Sequence, residues 1–145
     1  MPVAHFHLTD CSDEQRRDLL VQASRSYAEI LQAPIERVRI FVHALPAAAV
    51  AVGGVPLDET GGTAPYFTAL MMRGRPEQVR ARLLAEFTDL CVSVLGAQRD
   101  SVRGLITEID PAGWGIGGRP ASAVRADEIA QRARAHDDTS EPPLH

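Results

Sequence analysis

The chain has 145 residues, of which 45% are hydrophobic and 23% charged, with a formal net charge of −4 at neutral pH. Such a composition excludes the disordered and fibrous classes and suits one domain with a real core. The negative balance offers no general attraction to nucleic acid or to an anionic membrane, so any anion must be held by a local cluster of cations.

The opening residues, MPVAHFHLTD, contain no basic start and no apolar run ahead of a small-residue cleavage site, so they do not read as a signal peptide. Val3 to Leu8 is a short β-prone run that mixes Val3, Phe6 and Leu8 with His5 and His7. Cys11 and Cys91 do not form a CxxC pair, which argues against a disulfide framework and against a zinc site. Ser12 followed three residues later by Gln15 predicts a capping box and a helix start. Leu19, Leu20, Ala23, Tyr27, Ile30 and Leu31 recur at helical spacing, and Pro34 is expected to end that helix. Val38 to Leu45 predicts a second strand. Ala44 to Val55 is apolar but too short and too rich in Ala and Gly to span a membrane, and Gly53-Gly54 marks a turn.

The same order then recurs. Tyr66 to Met72 predicts a strand, Pro76 a first helical position, and Val79, Leu83, Leu84, Phe87, Leu90, Val94 and Leu95 an apolar helical stripe. Val102 to Ile109 predicts the next strand and Gly117-Gly118 the next turn. The spacings agree. Arg39 and Arg103 each lie 14 residues ahead of a Gly-Gly pair, and each pair is followed by one residue and a proline, Pro56 or Pro120. Two tandem βαβ units, 2–56 and 65–122, joined by a Gly-rich linker at 57–64, account for this pattern. They predict an α/β (α+β) domain over residues 1–123, a four-stranded sheet with both helices on one face. Residues 124–145 turn polar. Ala123 to Ala135 predicts a short surface helix, with the mixed charges from Arg125 to Arg134 forming a solvated face. Asp137 to His145 reads as a frayed tail.

Three features resemble the tautomerase superfamily, typified by 4-oxalocrotonate tautomerase: proline directly after Met1 and ahead of a strand, Ser12-Asp13-Glu14-Gln15 at the first helix start, and the segment RGLITEIDPAGWGIGGRPAS from Arg103 to Ser122. The double length is similar to the fused members, such as the cis-3-chloroacrylic acid dehalogenase group, and this resemblance implies a homotrimer. It also implies a cytoplasmic, cofactor-independent isomerase whose base is the Pro2 nitrogen, freed by removal of Met1. The family's helix-start arginine falls on Cys11 or Ser12 in the first half, and so is missing there, and on Arg75 in the second. Its strand arginine falls on Arg39 and Arg103, and its aromatic wall on Val50 and Trp114. The resemblance thus implies Pro2, Arg75 and Arg103 as catalytic residues, with Arg73, Trp114, Tyr27 and Arg39 around the substrate.

The chemistry suits those residue types. A tautomerase needs a base that is neutral near pH 7, and an α-amino group titrates at roughly 7.7–8.0 before nearby cations lower it. Guanidinium forks bind a carboxylate bidentately and stabilise charge developing on a 2-oxo group, so the expected substrate is a small carboxylate. The dehalogenase and hydratase branch needs an acid and a histidine to activate water; these positions fall near Gly117 and on Tyr27, and the first arginine of its RxxR pair falls on Met72. Tautomerisation is therefore the leading expectation, with a hydratase, dehalogenase or decarboxylase of a short unsaturated acid as the alternative and a non-enzymatic trimer as the third. Blander readings stand beside these. Tyr27 lies on an apolar stripe, Trp114 can serve as core or interface, and Arg39 as a strand-edge cation. His5, His7 and His43 have no nearby carboxylate or cysteine to complete a ligand set, so no metal is expected. The glycines from Trp114 to Gly118 do not open a helix in a GxGxxG frame.

Overall fold

A computed structural model describes residues 2–140. Strand β1 (Val3–Thr9) buries Ala4, Phe6 and Leu8 and leaves Val3, His5, His7 and Thr9 on its other face. Helix α1 (Asp13–Leu31) starts at the predicted capping box: the Gln15 N–H donates to Ser12 Oγ and the Ser12 N–H to Gln15 Oε1, each at 3.0 Å. The helix stops ahead of Pro34, at Gln32, which takes a left-handed φ of 51° and donates its N–H back to the last turn. Strand β2 (Arg39–Leu45) follows, then a hairpin of β3 (Ala51–Val52) and β4 (Val55–Pro56) turning on Gly53 and Gly54, whose φ values of 61° and 80° demand glycine. Residues 57–64 are not wholly a linker: Leu57–Thr60 form one helical turn, α2, because Leu57 finds a buried seat.

The second half repeats the first as β5 (Tyr66–Met72), α3 (Glu77–Leu95), β6 (Arg103–Ile109) and a hairpin of β7 (Gly115–Ile116) and β8 (Arg119–Pro120). Pro76 is the cap residue of α3 and Glu77 its first helical residue. After α4 (Ala121–Val124), α5 runs from Ala126 to Ser140, so residues 137–140 are helical and not tail; the rest of the expected tail lies outside the described residues.

The sheet order is β2-β1-β5-β6. Each half supplies a parallel pair, β1 with β2 and β5 with β6, and the halves join antiparallel through β1 and β5, with Ala4 opposite Ala69 and Phe6 opposite Phe67. The start of β1 therefore lies beside the end of β5. The helices α1 and α3 pack on each other and on one sheet face, where Phe6, Phe67 and Phe87 meet at centroid distances of 5.2–5.7 Å. Cys91 sits in this core, and burial pushes its thiol up to about 12, leaving it inert as a nucleophile.

Among the described residues, no helix covers the opposite sheet face. Phe41, Tyr66 and Leu105 are exposed there, and the rings of His5, His7, His43, Phe41 and Tyr66 stack across β2, β1 and β5. His5 Nδ1 lies 2.9 Å from His43 Nε2. Partial burial, then the charges of His43 and His5, lower the His7 pKa below its ordinary 6.5. In the window below 6.5 the unfolded chain takes up this proton more readily than the folded one, so stability present at neutral pH is lost on acidification. The melting temperature is expected to fall between about pH 7.5 and about pH 5.5, and to fall less in His7→Asn. Equal acid sensitivity in the two proteins would remove His7 from the account.

Candidate functional site

Because β1 and β5 run antiparallel, Pro2 reaches the end of the sheet where β5 gives way to Arg73, Gly74 and Arg75 ahead of α3. A cavity of about 410 Å³ opens there, within the size range of small-molecule sites, ~300–1,000 Å³. Pro2, Met72 and Arg75 line it from the sheet end, Leu31 to Pro34 and Arg37 from the exit of α1, Ile116 from β7, and Arg125, Glu128, Ile129 and Arg132 from the C-terminal segment. Pro2 is held in place by its own carbonyl, which accepts from the Arg39 N–H at 2.9 Å, and its ring is fully buried.

Arg75 Nη1 donates to the Leu31 carbonyl at 2.7 Å, so the cation sits against the negative end of α1. Its Nε is buried and has no hydrogen-bond partner among the described residues. Burial first, and the nearby charge of Arg132 second, push the Arg75 pKa down to about 10; it is still a cation at neutral pH. A buried guanidinium on a cavity wall with an unused donor is suited to binding an anion.

The other candidates lie elsewhere in the chain. Arg103 pairs with Tyr66, at the far end of β5, so a strand's length, on the order of 20 Å, separates it from Pro2. Its Nη1 donates to the carbonyls of Asp100 and Val102, at 2.7 and 3.0 Å. Arg39 adjoins Pro2 through backbone only; its exposed side chain reaches back to the Arg37 carbonyl at 3.5 Å. Arg73 points outward to Asp110, 3.7 Å away. Tyr27 is fully buried, and its hydroxyl is shared between the carbonyls of Val3, at 3.1 Å, and Leu70, which ties β1 to β5; burial raises its pKa. Trp114 does not line the cavity. It is half-buried, its Nε1 has no hydrogen-bond partner among the described residues, and the neighbouring Ile116 supplies the wall instead.

Four charged cavity residues were missing from the sequence reading: Arg37, Arg125, Glu128 and Arg132. The segment expected to be a solvated face is a cavity wall. Arg125, Ile129 and Arg132 recur at intervals of four and three, a stripe that α5 and its approach turn toward Pro2. That spacing was the available signal, but charge on it masked it as surface. No helix among the described residues is long and apolar enough to cross a membrane. Among the same residues, no group of three or more His, Cys, Asp or Glu is placed to hold a metal ion.

Comparison with known proteins bears on the family and the fold. The family model described as "Tautomerase enzyme" matches residues 2–59 and again 65–123. The probable tautomerase RSp0893 of Ralstonia nicotianae is 38% identical over 61 residues, covering 42% of this chain and 87% of that protein. The 2-hydroxymuconate tautomerase of Pseudomonas sp. strain CF600 is 37% identical over 60 residues, 41% of this chain and 95% of that one. Among solved structures, native Fused 4-OT superposes with a TM-score of 0.78 at 26% identity, over 85% of this chain and 98% of that one. The R7 fused 4-OT, described as a wild-type asymmetric trimer, gives a TM-score of 0.76 at 29% identity, over the same shares. With two tandem matches covering most of its length, on a four-stranded sheet with α1 and α3 on one face, the chain belongs to the tautomerase family.

Proposed function

We propose that the protein is a keto–enol tautomerase of a small 2-oxo acid or 2-hydroxydienoate, acting as a cytoplasmic homotrimer with Pro2 as its base. The observation that carries this reading is that Pro2 and Arg75, contributed by different halves, border one cavity. Removal of Met1 makes the Pro2 nitrogen a secondary amine. Its neighbours Arg75, Arg37, Arg125 and Arg132 disfavour a further positive charge, which keeps it neutral at lower pH than an ordinary α-amino group. The neutral amine takes the proton from the enol oxygen or the carbon beside the carbonyl and returns it to the other end of the conjugated system. Arg75 holds the substrate carboxylate and stabilises charge on the 2-oxo group as it develops. The half-enclosed cavity restricts water and strengthens both interactions.

Water-adding chemistry is less well supported, because it needs a carboxylate free to activate water. The cavity's carboxylate, Glu128, has both oxygens held by Arg37 at 2.9 Å, and this pairing lowers its pKa and makes it a poor base. Two features support the trimer: the uncovered sheet face with its exposed Phe41, Tyr66 and Leu105, and the trimeric state of the R7 fused 4-OT. Arg103, on that same face, joins a Pro2 site only across such an interface.

The test is ketonisation of 2-hydroxymuconate across pH, combined with labelling by an acetylenic 2-oxo acid. Activity and labelling are expected to rise together with loss of one proton below roughly pH 7.7, and the mass adduct to map to Pro2. An adduct on another residue, or turnover that survives complete labelling of Pro2, would overturn the assignment.

A further inference from the structure

Alternation along the four strands puts His5, His7 and His43 on the sheet face left uncovered by α1 and α3, together with Arg39 and Arg103. It puts no Asp or Glu there. The strands contain one carboxylate, Glu108, which lies on the helix side, paired with Arg80 of α3. In a chain of net charge −4, an acid-free face of histidine and arginine is a local exception.

The histidines form one stacked cluster. Ring centroids are 4.7 Å apart for His7 and His43, 5.1 Å for His5 and His43, and 6.3 Å for His5 and His7. Phe41 stacks on His5 at 5.0 Å and Tyr66 on His7 at 5.7 Å, so ring surface continues on both sides. The 2.9 Å contact between His5 Nδ1 and His43 Nε2 needs one nitrogen without a proton to accept. Around the cluster, β2 supplies Arg39, β5 Tyr66 and β6 Arg103. A proton taken up by the rings therefore meets cations and a phenol, and no carboxylate on this face. In the single chain, partial burial and then the charges of His43 and His5 already lower the His7 pKa.

We infer that this cluster is an acid switch on assembly: copies of the chain close over neutral histidines near neutral pH, and protonation of the cluster drives the subunits apart. The inference rests on the trimer proposed above. Copies of this chain are the occupant of the face, because exposed Phe41, Tyr66 and Leu105 lie among the histidines and the R7 fused 4-OT, 29% identical, is described as a trimer. The sign follows from linkage. Burying the cluster against another copy disfavours its charged form, so the separated subunit binds protons more tightly than the trimer. Above the ordinary histidine value of about 6.5 neither state takes up the proton, and the trimer keeps its full strength. Below it, each histidine kept neutral in the interface weakens association by up to about tenfold per pH unit. Arg103 lies on the same face, so disassembly also takes it away from any Pro2 site across the interface.

Light scattering on the full-length protein as it elutes from a sizing column, at fixed ionic strength and a series of pH values, reads the switch. Wild type is expected to have the mass of a trimer at about pH 7.5 and of a single subunit at about pH 5.5, with far-UV dichroism retained and the trimer restored on neutralisation. The triple variant His5→Gln, His7→Asn, His43→Gln is expected to stay trimeric throughout. A wild type that stays trimeric in acid, a triple variant that dissociates as wild type does, or loss of the helical signal together with the trimer overturns the inference. Should the triple variant fail to assemble at neutral pH, His43→Gln alone, exposed on the outer strand β2, is expected to lower the dissociation midpoint, and an unshifted midpoint overturns it as well. A single-subunit mass already at about pH 7.5 sinks the trimer itself, whereas a trimer indifferent to acid sinks the switch alone.

Discussion

Pro2→Ala is expected to lower kcat/KM for a 2-hydroxydienoate by about 100-fold or more, within the ~10²–10⁴ range of a positioned general base. Alanine also permits removal of Met1, so the variant still starts with an amine. That amine is primary, turns freely about its N–Cα bond and is better hydrated, and so it is less often neutral and aligned at working pH. The backbone contact is kept, since the carbonyl of residue 2 still accepts from the Arg39 N–H. The loss should therefore appear in kcat and in the pH profile, alongside a modest fall in melting temperature from truncating the buried ring. Arg75→Ala makes a contrast: it removes a carboxylate-binding cation, so KM rises along with the fall in kcat. Stopped-flow ketonisation of both variants checks this. Wild-type kcat in Pro2→Ala would end the case for the N-terminal base.

Gly104→Ala is expected to destabilise the fold by at least about 2 kcal/mol, at the upper part of the range for overpacking a core. Gly104 stands opposite Phe67 in the β5–β6 register, and the outer end of the Phe67 ring occupies the place a Cβ would take. A Cβ built there would be 2.2 Å from Phe67 Cζ and 2.3 Å from Cε2. The ring is fully buried and braced by Phe6 and by the edge of Phe87, so it has nowhere to turn. Backbone strain is not involved; the obstacle is the ring. Urea unfolding should show a lower midpoint at unchanged slope. Phe67→Leu in the same background should recover part of the loss, a coupling expected only of residues in contact. Additive effects would argue against this packing.

The repeat was readable because its signals are local. A capping box, a glycine pair at positive φ and an apolar stripe act within a few residues of their own position, and each appears in the structure where the spacing put it, to within one or two residues. The departures have equally local causes. Gln32 closes α1 before Pro34 is needed, and Leu57 turns part of a linker into helix because it has a core to enter.

The composition of the site was a different matter. Periodicity identifies strands but not which strands pair or in which direction. The antiparallel join of β1 to β5 sets Pro2 beside Arg75, and the same join leaves Arg103 at the other end of the sheet, although both arginines belong to one repeat. The contribution of α5 was hidden for a related reason. A stripe of arginines reads as solvent-facing from composition, and only the cavity it lines, together with the Arg37–Glu128 fork, turns it inward. Local chemistry along the chain thus sufficed to name the elements, since caps, turns and apolar stripes are settled by near neighbours. Which cations line the cavity beside Pro2 was decided by long-range pairing, because strand direction and helix docking depend on contacts between residues distant in sequence, and no short window contains both partners.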